Sequence, residues 1–142
     1  MISADGLEFI KQAEGCKLAS YQDSVGVWTI GYGHTKGVHG GMTCTQEQAD
    51  EWLAEDLETV YGDIREYVDV PLTQGQFDAL CSWIFNLGAG AFRDSTFRRL
   101  LNARDYEGAA EQIKRWVHAG NQVLPGLVKR RAAEAEMFTE TA

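Results

Sequence analysis

The feature that most constrains the fold is a change of sequence pattern early in the chain. Apolar side chains recur first at helical spacing, with Ser3 placed to cap the start of a helix and Gly15 to close its end. Between Lys17 and Gly41 the pattern changes to short runs of Tyr, Val, Trp and Ile, interrupted by eight Gly or Ser. The two patterns predict a helix over 3–14, strands over 18–21 and 27–32, and a turn at 24–26.

Helical patterns resume at Thr45 and continue to the end of the chain. Two capping boxes mark helix starts, because a Thr is followed three residues later by Gln: Thr45 with Gln48, and Thr73 with Gln76. The helix that begins at Thr45 runs over 45–67 and stops before Pro71. The rest of the chain predicts four more helices. One begins at 73 and is ended by Gly88 and Gly90, and the others lie over 95–103, over 105–118, where Gly120 ends the helix, and over 126–138.

These elements predict an α+β, mostly helical fold formed by one domain over 1–142. We expect a small β-containing lobe at about 15–44, a long connecting helix at about 45–67, and a helical lobe at about 68–142 that includes the N-terminal helix 3–14. The expected arrangement is two lobes joined by the long helix. A cleft between two lobes is a favoured place for a ligand site.

The charge distribution excludes some partners. The net charge is −8, and residues 1–69 hold 13 acidic against 4 basic side chains, whereas residues 70–142 hold 8 against 9. Nine of the thirteen acids lie between Glu47 and Asp69, which predicts a solvated helix face. Nucleic acid is therefore a poor partner. No window approaches the ~18 apolar residues of a membrane span, and the N-terminus lacks the pattern of a secretory signal.

The cysteines give no sign of a disulfide framework or a metal site. There are three, Cys16, Cys44 and Cys81, widely spaced and without a CxxC pair. Reduced thiols are the expectation. Cys16 lies two residues after a candidate catalytic acid, so it is either a packed small side chain or part of a redox control, with Cys44 as the more plausible partner.

Three side chains around the predicted hairpin could carry chemistry. Glu14 ends the first helix, where the helix dipole opposes a negative charge and favours a protonated acid. Asp23 precedes the turn and Thr29 lies on the returning strand. Singly, they are typical of a solvated helix end, a turn and a β-strand. Together, two carboxyl groups and a hydroxyl fit glycoside hydrolysis, because one acid protonates the leaving oxygen and one base activates a water that a hydroxyl holds.

The stretch from Glu14 to Thr35 resembles the signature of the phage-type lysozymes, glycoside hydrolase family 24. In that family a Glu, an Asp after eight intervening residues and a Thr after five more form the catalytic triad, and the spacing here is the same. The following Gly-Tyr-Gly-His-Thr also resembles the family, as do Phe85-Asn86-Leu-Gly-Ala-Gly-Ala-Phe, Ser95-Thr96, Trp116 and the segment 126–134. The resemblance covers nearly the whole chain and is closest to compact lambdoid or prophage members.

The resemblance implies a role for each matching residue. Glu14 would be the general acid, Asp23 the base that positions water, and Thr29 the residue that holds the water, with inversion at the anomeric carbon. An inverting pair needs about 6.5–9.5 Å between its carboxyl groups. His34 would fix the hairpin against the helix or contact substrate. The other implied substrate-binding residues are Thr35, Phe85, Asn86 and Ser95, and Arg130 or Arg131 would pair with Glu14.

The implied function is an endolysin muramidase that cleaves the β-1,4 bond between N-acetylmuramic acid and N-acetylglucosamine in peptidoglycan, for host cell lysis. No cofactor and no metal are implied. The enzyme would be a monomer that stays in the host cytoplasm without inserting into the membrane, until a holin gives it access to the wall. The alternatives are a lytic transglycosylase, which needs no water-positioning Asp, and a non-enzymatic wall-binding protein, which needs no triad.

Overall fold

The computed structural model describes residues 1–119 and 121–140. The chain divides into two compact units: Glu8–Thr59, which we call the hairpin unit, and Met1–Leu7 with Val60–Ala142, which we call the helical unit. The elements in chain order are α1 (Ala4–Glu14), β1 (Lys17–Gln22), β2 (Trp28–Gly31), α2 (Gln46–Tyr67), α3 (Gln74–Leu87), α4 (Ala89–Arg93), α5 (Thr96–Asn102), α6 (Tyr106–Ile113), β3 (His118–Ala119), β4 (Gln122–Val123) and α7 (Pro125–Thr139). The predicted mostly helical fold with a small antiparallel hairpin is confirmed.

The first helix begins and ends at the residues that the sequence indicated. The Ser3 hydroxyl accepts a hydrogen bond from the backbone N–H of Gly6 at 3.0 Å. Gly15 follows the last helical residue with φ 69°, a left-handed conformation that favours glycine, and its N–H donates to the Lys11 carbonyl at 3.0 Å. The helix therefore stops directly after Glu14.

The hairpin unit is built on β1 and β2, which pair antiparallel with Tyr21 opposite Thr29. The turn is closed by the Asp23 N–H, which donates to the Val27 carbonyl at 2.9 Å. Gly31 adopts φ 64°, and an added Cβ would lie 3.2 Å from the Ala49 side chain, so this glycine lets β2 approach α2 closely. The core of the unit is apolar and consists of Ile10, Ile30, Ala49, Leu53 and Leu57.

The long acidic helix confirms its predicted bounds to within a residue. The capping box is present, because the Thr45 N–H donates to the Gln48 side chain at 3.0 Å and the Gln48 N–H donates to the Thr45 hydroxyl at 3.1 Å. The acidic side chains on its outer face are exposed, which fits a solvated face: Glu47, Glu51, Glu55, Glu58 and Glu66.

The helical unit forms around α3, which packs mainly against α7. The α3 capping box of Thr73 and Gln76 is confirmed. Trp83 is fully buried at the centre of an aromatic cluster, where it meets Phe92, Phe97 and Trp116 edge to face with centroids 5.2–6.0 Å apart. Such edge contacts stabilise a core beyond the area they bury.

Two predicted helix ends are wrong. The helix predicted over 105–118 ends at Ile113, and His118 lies instead in β3, opposite Val123 in β4. This second hairpin satisfies backbone groups across a turn, which the helical periodicity of the local sequence could not indicate. Gly88 ends α3 as predicted, with φ 95°, but Gly90 lies inside the short helix α4. The predicted break at Gly120 falls outside the described residues.

In the described part of the chain, no helix has the length and apolarity needed to cross a membrane. The same residues contain no group of three or more His, Cys, Asp or Glu side chains that could hold a metal ion.

Candidate active site

The hairpin unit holds all three predicted catalytic residues. Glu14 is the last residue of α1 and its side chain is half-buried. Asp23 follows β1 directly, and Thr29 lies in β2 with a relative exposure of 4%. Only fifteen positions separate the first from the last of them in the sequence, so a helix end and one hairpin are sufficient to place them.

The Asp23 carboxylate is fixed by its own turn. Its Oδ1 accepts hydrogen bonds from the backbone N–H of Val25 at 3.0 Å and of Val27 at 2.9 Å. This Asx-type turn is a common role for Asp at such a position. The second oxygen, Oδ2, makes no hydrogen bond with the described residues, so it can accept a proton or a hydrogen bond from a ligand or water.

The Thr29 hydroxyl donates its hydrogen to the Val27 carbonyl at 3.0 Å. The same carbonyl oxygen also accepts from the Asp23 N–H at 2.9 Å. With its hydrogen engaged in this way, the Thr29 hydroxyl can act toward a water only as an acceptor.

Tyr21 connects the three residues, and sequence reasoning missed it. Burial first, and then the negative charges of Glu14 and Asp23, raise the pKa of the Tyr21 phenol above its ordinary value of 10.0. Both carboxylates therefore act electrostatically on one hydroxyl. Tyr21 is also the cross-strand partner of Thr29, so these two side chains point to the same face of the hairpin.

The burial pattern of the hairpin does not alternate regularly. Along β1, Tyr21 and its neighbour Ser20 are both half-buried, and in β2 Thr29 and its neighbour Ile30 are both buried. The shared face of Tyr21 and Thr29 therefore rests on their cross-strand pairing. Asp23 is half-buried and lies in the turn, directly after β1. The signal in the sequence that could have indicated Tyr21 is its position two residues before Asp23.

His34 is held by two partners from α2. Its ring stacks on Trp52 with centroids 4.7 Å apart and planes 4° apart, and its Nδ1 lies 2.9 Å from Asp56 Oδ2. The side chain is 7% exposed. This geometry favours the structural interpretation of His34 over substrate contact. Thr35, the next residue, is exposed.

Two of the three cysteines lie near each other in the hairpin unit. Cys16 is exposed, and its Sγ lies 3.8 Å from the Gln46 side-chain oxygen. Burial, and then the neighbouring Cys16 thiol, raise the pKa of Cys44 above its ordinary value. The exposure of Cys16 argues against a packed side chain there, and the raised pKa of Cys44 argues against redox control because it lowers the thiolate fraction at neutral pH. Which interpretation holds stays a prediction.

The other predicted site residues belong to the helical unit. Phe85 and Asn86 are half-buried in the last turn of α3. Ser95 caps α5: its hydroxyl accepts from the Arg98 N–H at 3.0 Å and donates to the Phe92 carbonyl at 2.7 Å.

Arg130 and Arg131 are both buried in α7, and both contact Glu134. The pairing of Arg130 or Arg131 with Glu14 stays a prediction. These side chains also contact Ser82 and Asn86 of α3. The sequence did not indicate this polar cluster, because the residues from α3 and α7 lie about fifty positions apart.

An acid at a helix end, a carboxylate fixed by its turn and a strand hydroxyl are the groups that glycoside hydrolysis with inversion uses. The family model for phage lysozyme matches residues 11–134. The endolysin of Acyrthosiphon pisum secondary endosymbiont phage 1 is 45% identical over 141 residues, which cover 96% of this chain and 97% of that one. The chain therefore belongs to the phage lysozyme family, and it is a glycoside hydrolase of the lysozyme type.

Solved structures agree with this assignment. The muramidase domain of SpmX from Asticaccaulis excentricus is 39% identical, with a TM-score of 0.92 and 99% of each chain covered. A mutant of the P22 lysozyme is 43% identical, with a TM-score of 0.86 and the same coverage.

Proposed function

We propose that this lysozyme hydrolyses the β-1,4 bond between N-acetylmuramic acid and N-acetylglucosamine in peptidoglycan, with inversion at the anomeric carbon. Glu14 is the general acid, Asp23 the general base, and Thr29 holds the attacking water. The observation that supports this assignment is Tyr21: both carboxylates act on its phenol, and Thr29 is its cross-strand partner.

The hydrogen bonds in the hairpin suit a water held between Asp23 and Thr29. The water donates one hydrogen to Asp23 Oδ2 and the other to the Thr29 hydroxyl, whose own hydrogen is engaged with Val27. Its oxygen lone pair is then directed at the sugar. As the new C–O bond forms, Asp23 takes a proton from the water.

The leaving group requires a proton donor on the other side of the bond. Glu14 gives its proton to the glycosidic oxygen as the bond to the anomeric carbon breaks. Its position at the C-terminal end of α1 places it directly before the hairpin that carries Asp23 and Thr29.

Mass spectrometry of the released fragments tests the reaction. Hydrolysis adds one water and leaves a reducing N-acetylmuramic acid end. A 1,6-anhydro end would instead identify a lytic transglycosylase, and a reducing N-acetylglucosamine end would place the cleavage at the other glycosidic bond. The absence of any cleaved fragment from permeabilised Gram-negative cells would favour a wall-binding protein without activity.

We propose further that Thr35, Phe85, Asn86 and Ser95 contact the glycan strand, as the family resemblance implies. Half-burial of Phe85 and Asn86 leaves each side chain partly accessible to a ligand. Alanine substitutions at these positions that leave the Kd for glycan fragments unchanged would contradict this assignment.

The route to the wall is proposed from the same resemblance. The protein acts as a monomer and remains in the host cytoplasm until a holin pore lets it reach the peptidoglycan. Expression with and without a holin tests this route, because lysis should require the holin. Sedimentation equilibrium tests the monomer, for which the expected mass is 15.8 kDa.

A further inference from the structure

A cluster of buried polar side chains lies between α3 and α7 in the helical unit. We call it the α3–α7 cluster, and it consists of Ser82, Asn86, Arg130, Arg131 and Glu134. The side chains of Arg131 and Glu134 are 0% exposed. Taking charges out of water costs several kcal/mol per ion, and a buried ion pair is weak support for stability. Stability alone therefore does not account for the cluster.

Glu134 is hydrogen-bonded through one carboxylate oxygen and forms an ion pair through the other. Its Oε2 accepts from the Ser82 hydroxyl and lies 3.4 Å from Arg130 Nε. Its Oε1 lies 3.2 Å from Arg131 Nη1. Arg131 Nη1 is therefore paired in charge with Glu134, while its Nη2 faces Asn86.

Arg131 in turn determines which way the Asn86 amide faces. Arg131 Nη2 donates to the Asn86 side-chain oxygen. A guanidinium group has only donors, so the Asn86 atom facing it must be the carbonyl oxygen, and the NH₂ group must point elsewhere. In the described residues the NH₂ group has no acceptor, and the side chain is half-buried. Two N–H donors are therefore available to a ligand.

We propose that Glu134 and Arg131 are positioning residues that hold the Asn86 amide with its N–H donors toward a carbonyl oxygen of the peptidoglycan strand. This inference rests on the proposed function. The carbonyl oxygen belongs either to the N-acetyl group of a sugar or to the peptide stem, and both are recognised by the same donors.

The first test replaces Asn86 by its acceptor-only isostere. Asn86→Asp keeps the oxygen that accepts from Arg131 but removes both donors at neutral pH. Binding is measured in the Glu14→Gln background, so that the glycan is not cleaved, with a peptide-free tetrasaccharide and the same tetrasaccharide bearing its peptide stems. The Kd should rise about tenfold, the loss typical of one or two hydrogen bonds, with an unchanged or higher Tm.

The two probes separate the two sources of the carbonyl. A weaker Kd for both probes indicates the N-acetyl group, and a weaker Kd for the peptide-bearing probe alone indicates the stem. Asn121→Asp makes the same chemical change at an exposed turn and should leave both Kd values unaltered. Equal binding by Asn86→Asp and its parent would overturn the inference, while cleavage by the wild type would leave the proposed function intact.

The second test asks whether Arg131 acts through Asn86. Arg131→Lys keeps the charge but loses the fork that orients the amide. It should weaken binding severalfold when Asn86 is present and have no further effect in an Asn86→Ala background. An equal effect in both backgrounds would contradict the positioning role. If Arg131→Lys does not fold, Asn86→Asp still decides whether the donors bind the glycan.

Discussion

The two units place their polar groups by different means. In the hairpin unit, Asp23 and Thr29 are held by backbone atoms of their own turn, within a few residues of themselves. In the helical unit, Arg131 and Glu134 are held by side chains 45 and 52 positions away. Local chain geometry is therefore sufficient to fix Asp23 and Thr29 of the proposed site, whereas the buried cluster depends on the tertiary packing of α3 on α7.

The difference predicts that substitutions at the proposed catalytic residues of the hairpin unit change rate, and that loss of the Glu134 carboxylate changes stability. Glu14→Gln gives the largest expected effect. The amide cannot donate a proton to the glycosidic oxygen, so turnover should fall by roughly 10²–10⁴. Release of reducing ends measures the loss, and a thermal melt should give a folded protein. Glu8→Gln, on an exposed side chain of the same helix, is the control and should retain full activity. Near-normal activity in Glu14→Gln would remove the proposed acid.

Glu134→Ala should have the largest effect on stability. It leaves the guanidinium groups of Arg130 and Arg131 without the carboxylate that both contact, and breaking a buried pair costs about 3–5 kcal/mol. Urea unfolding measures the change in the free energy of unfolding. A loss below about 1 kcal/mol would mean that the cluster does not depend on its charge pairing, and the contrast between the units would fail.

Thr29→Val should lower turnover by about tenfold while changing stability little. It removes the hydroxyl that holds water, and the Val27 carbonyl still accepts from the Asp23 N–H. Thr29→Ser keeps a hydroxyl and should restore most of the rate. Steady-state kinetics on soluble glycan fragments separates the two variants, and identical rates for Val and Ser would exclude the proposed role of the hydroxyl.

The smallest expected effect concerns Tyr21 at alkaline pH. The folded protein keeps the phenolic proton to a higher pH than the unfolded chain does, because the pKa is raised above 10.0. The stabilising contribution is therefore complete below pH 10 and is lost as the pH rises through the folded-state pKa. Tyr21→Phe lacks this loss. The stability difference between wild type and variant should shift in favour of the variant above pH 10, and a difference independent of pH would contradict the assigned environment.

The sequence predicted the local structure of the hairpin unit better than the buried cluster. Ser3, Gly15, Thr45 and Thr73 act through neighbouring backbone groups, so their capping roles could be assigned from local sequence. The carboxyl groups and hydroxyl of the proposed site lie around one hairpin and matched a family spacing. Asn86, Arg131 and Glu134 meet only when α3 packs on α7, and no local pattern encodes that contact.

The second hairpin escaped prediction for a related reason. No Gly or Pro lies between the end of α6 and His118. The helical periodicity of the sequence therefore extended the predicted helix through His118. Pairing of His118 with Val123 instead depends on the chain returning across the turn. Tyr21 is the intermediate case, because the strand that contains it was predicted but its pairing with Thr29 depends on the register of the hairpin.

The stereochemistry of the first product tests the central claim most directly. A water held between Asp23 and Thr29 attacks the face of the sugar opposite the leaving group, so cleavage of the β-bond should first release the α-anomer. Proton NMR of soluble glycan fragments, recorded before mutarotation equilibrates the anomers, distinguishes the two outcomes. The account predicts an initial α-anomer signal. An initial β-anomer would mean retention through a covalent intermediate and would contradict the roles proposed for Asp23 and Thr29.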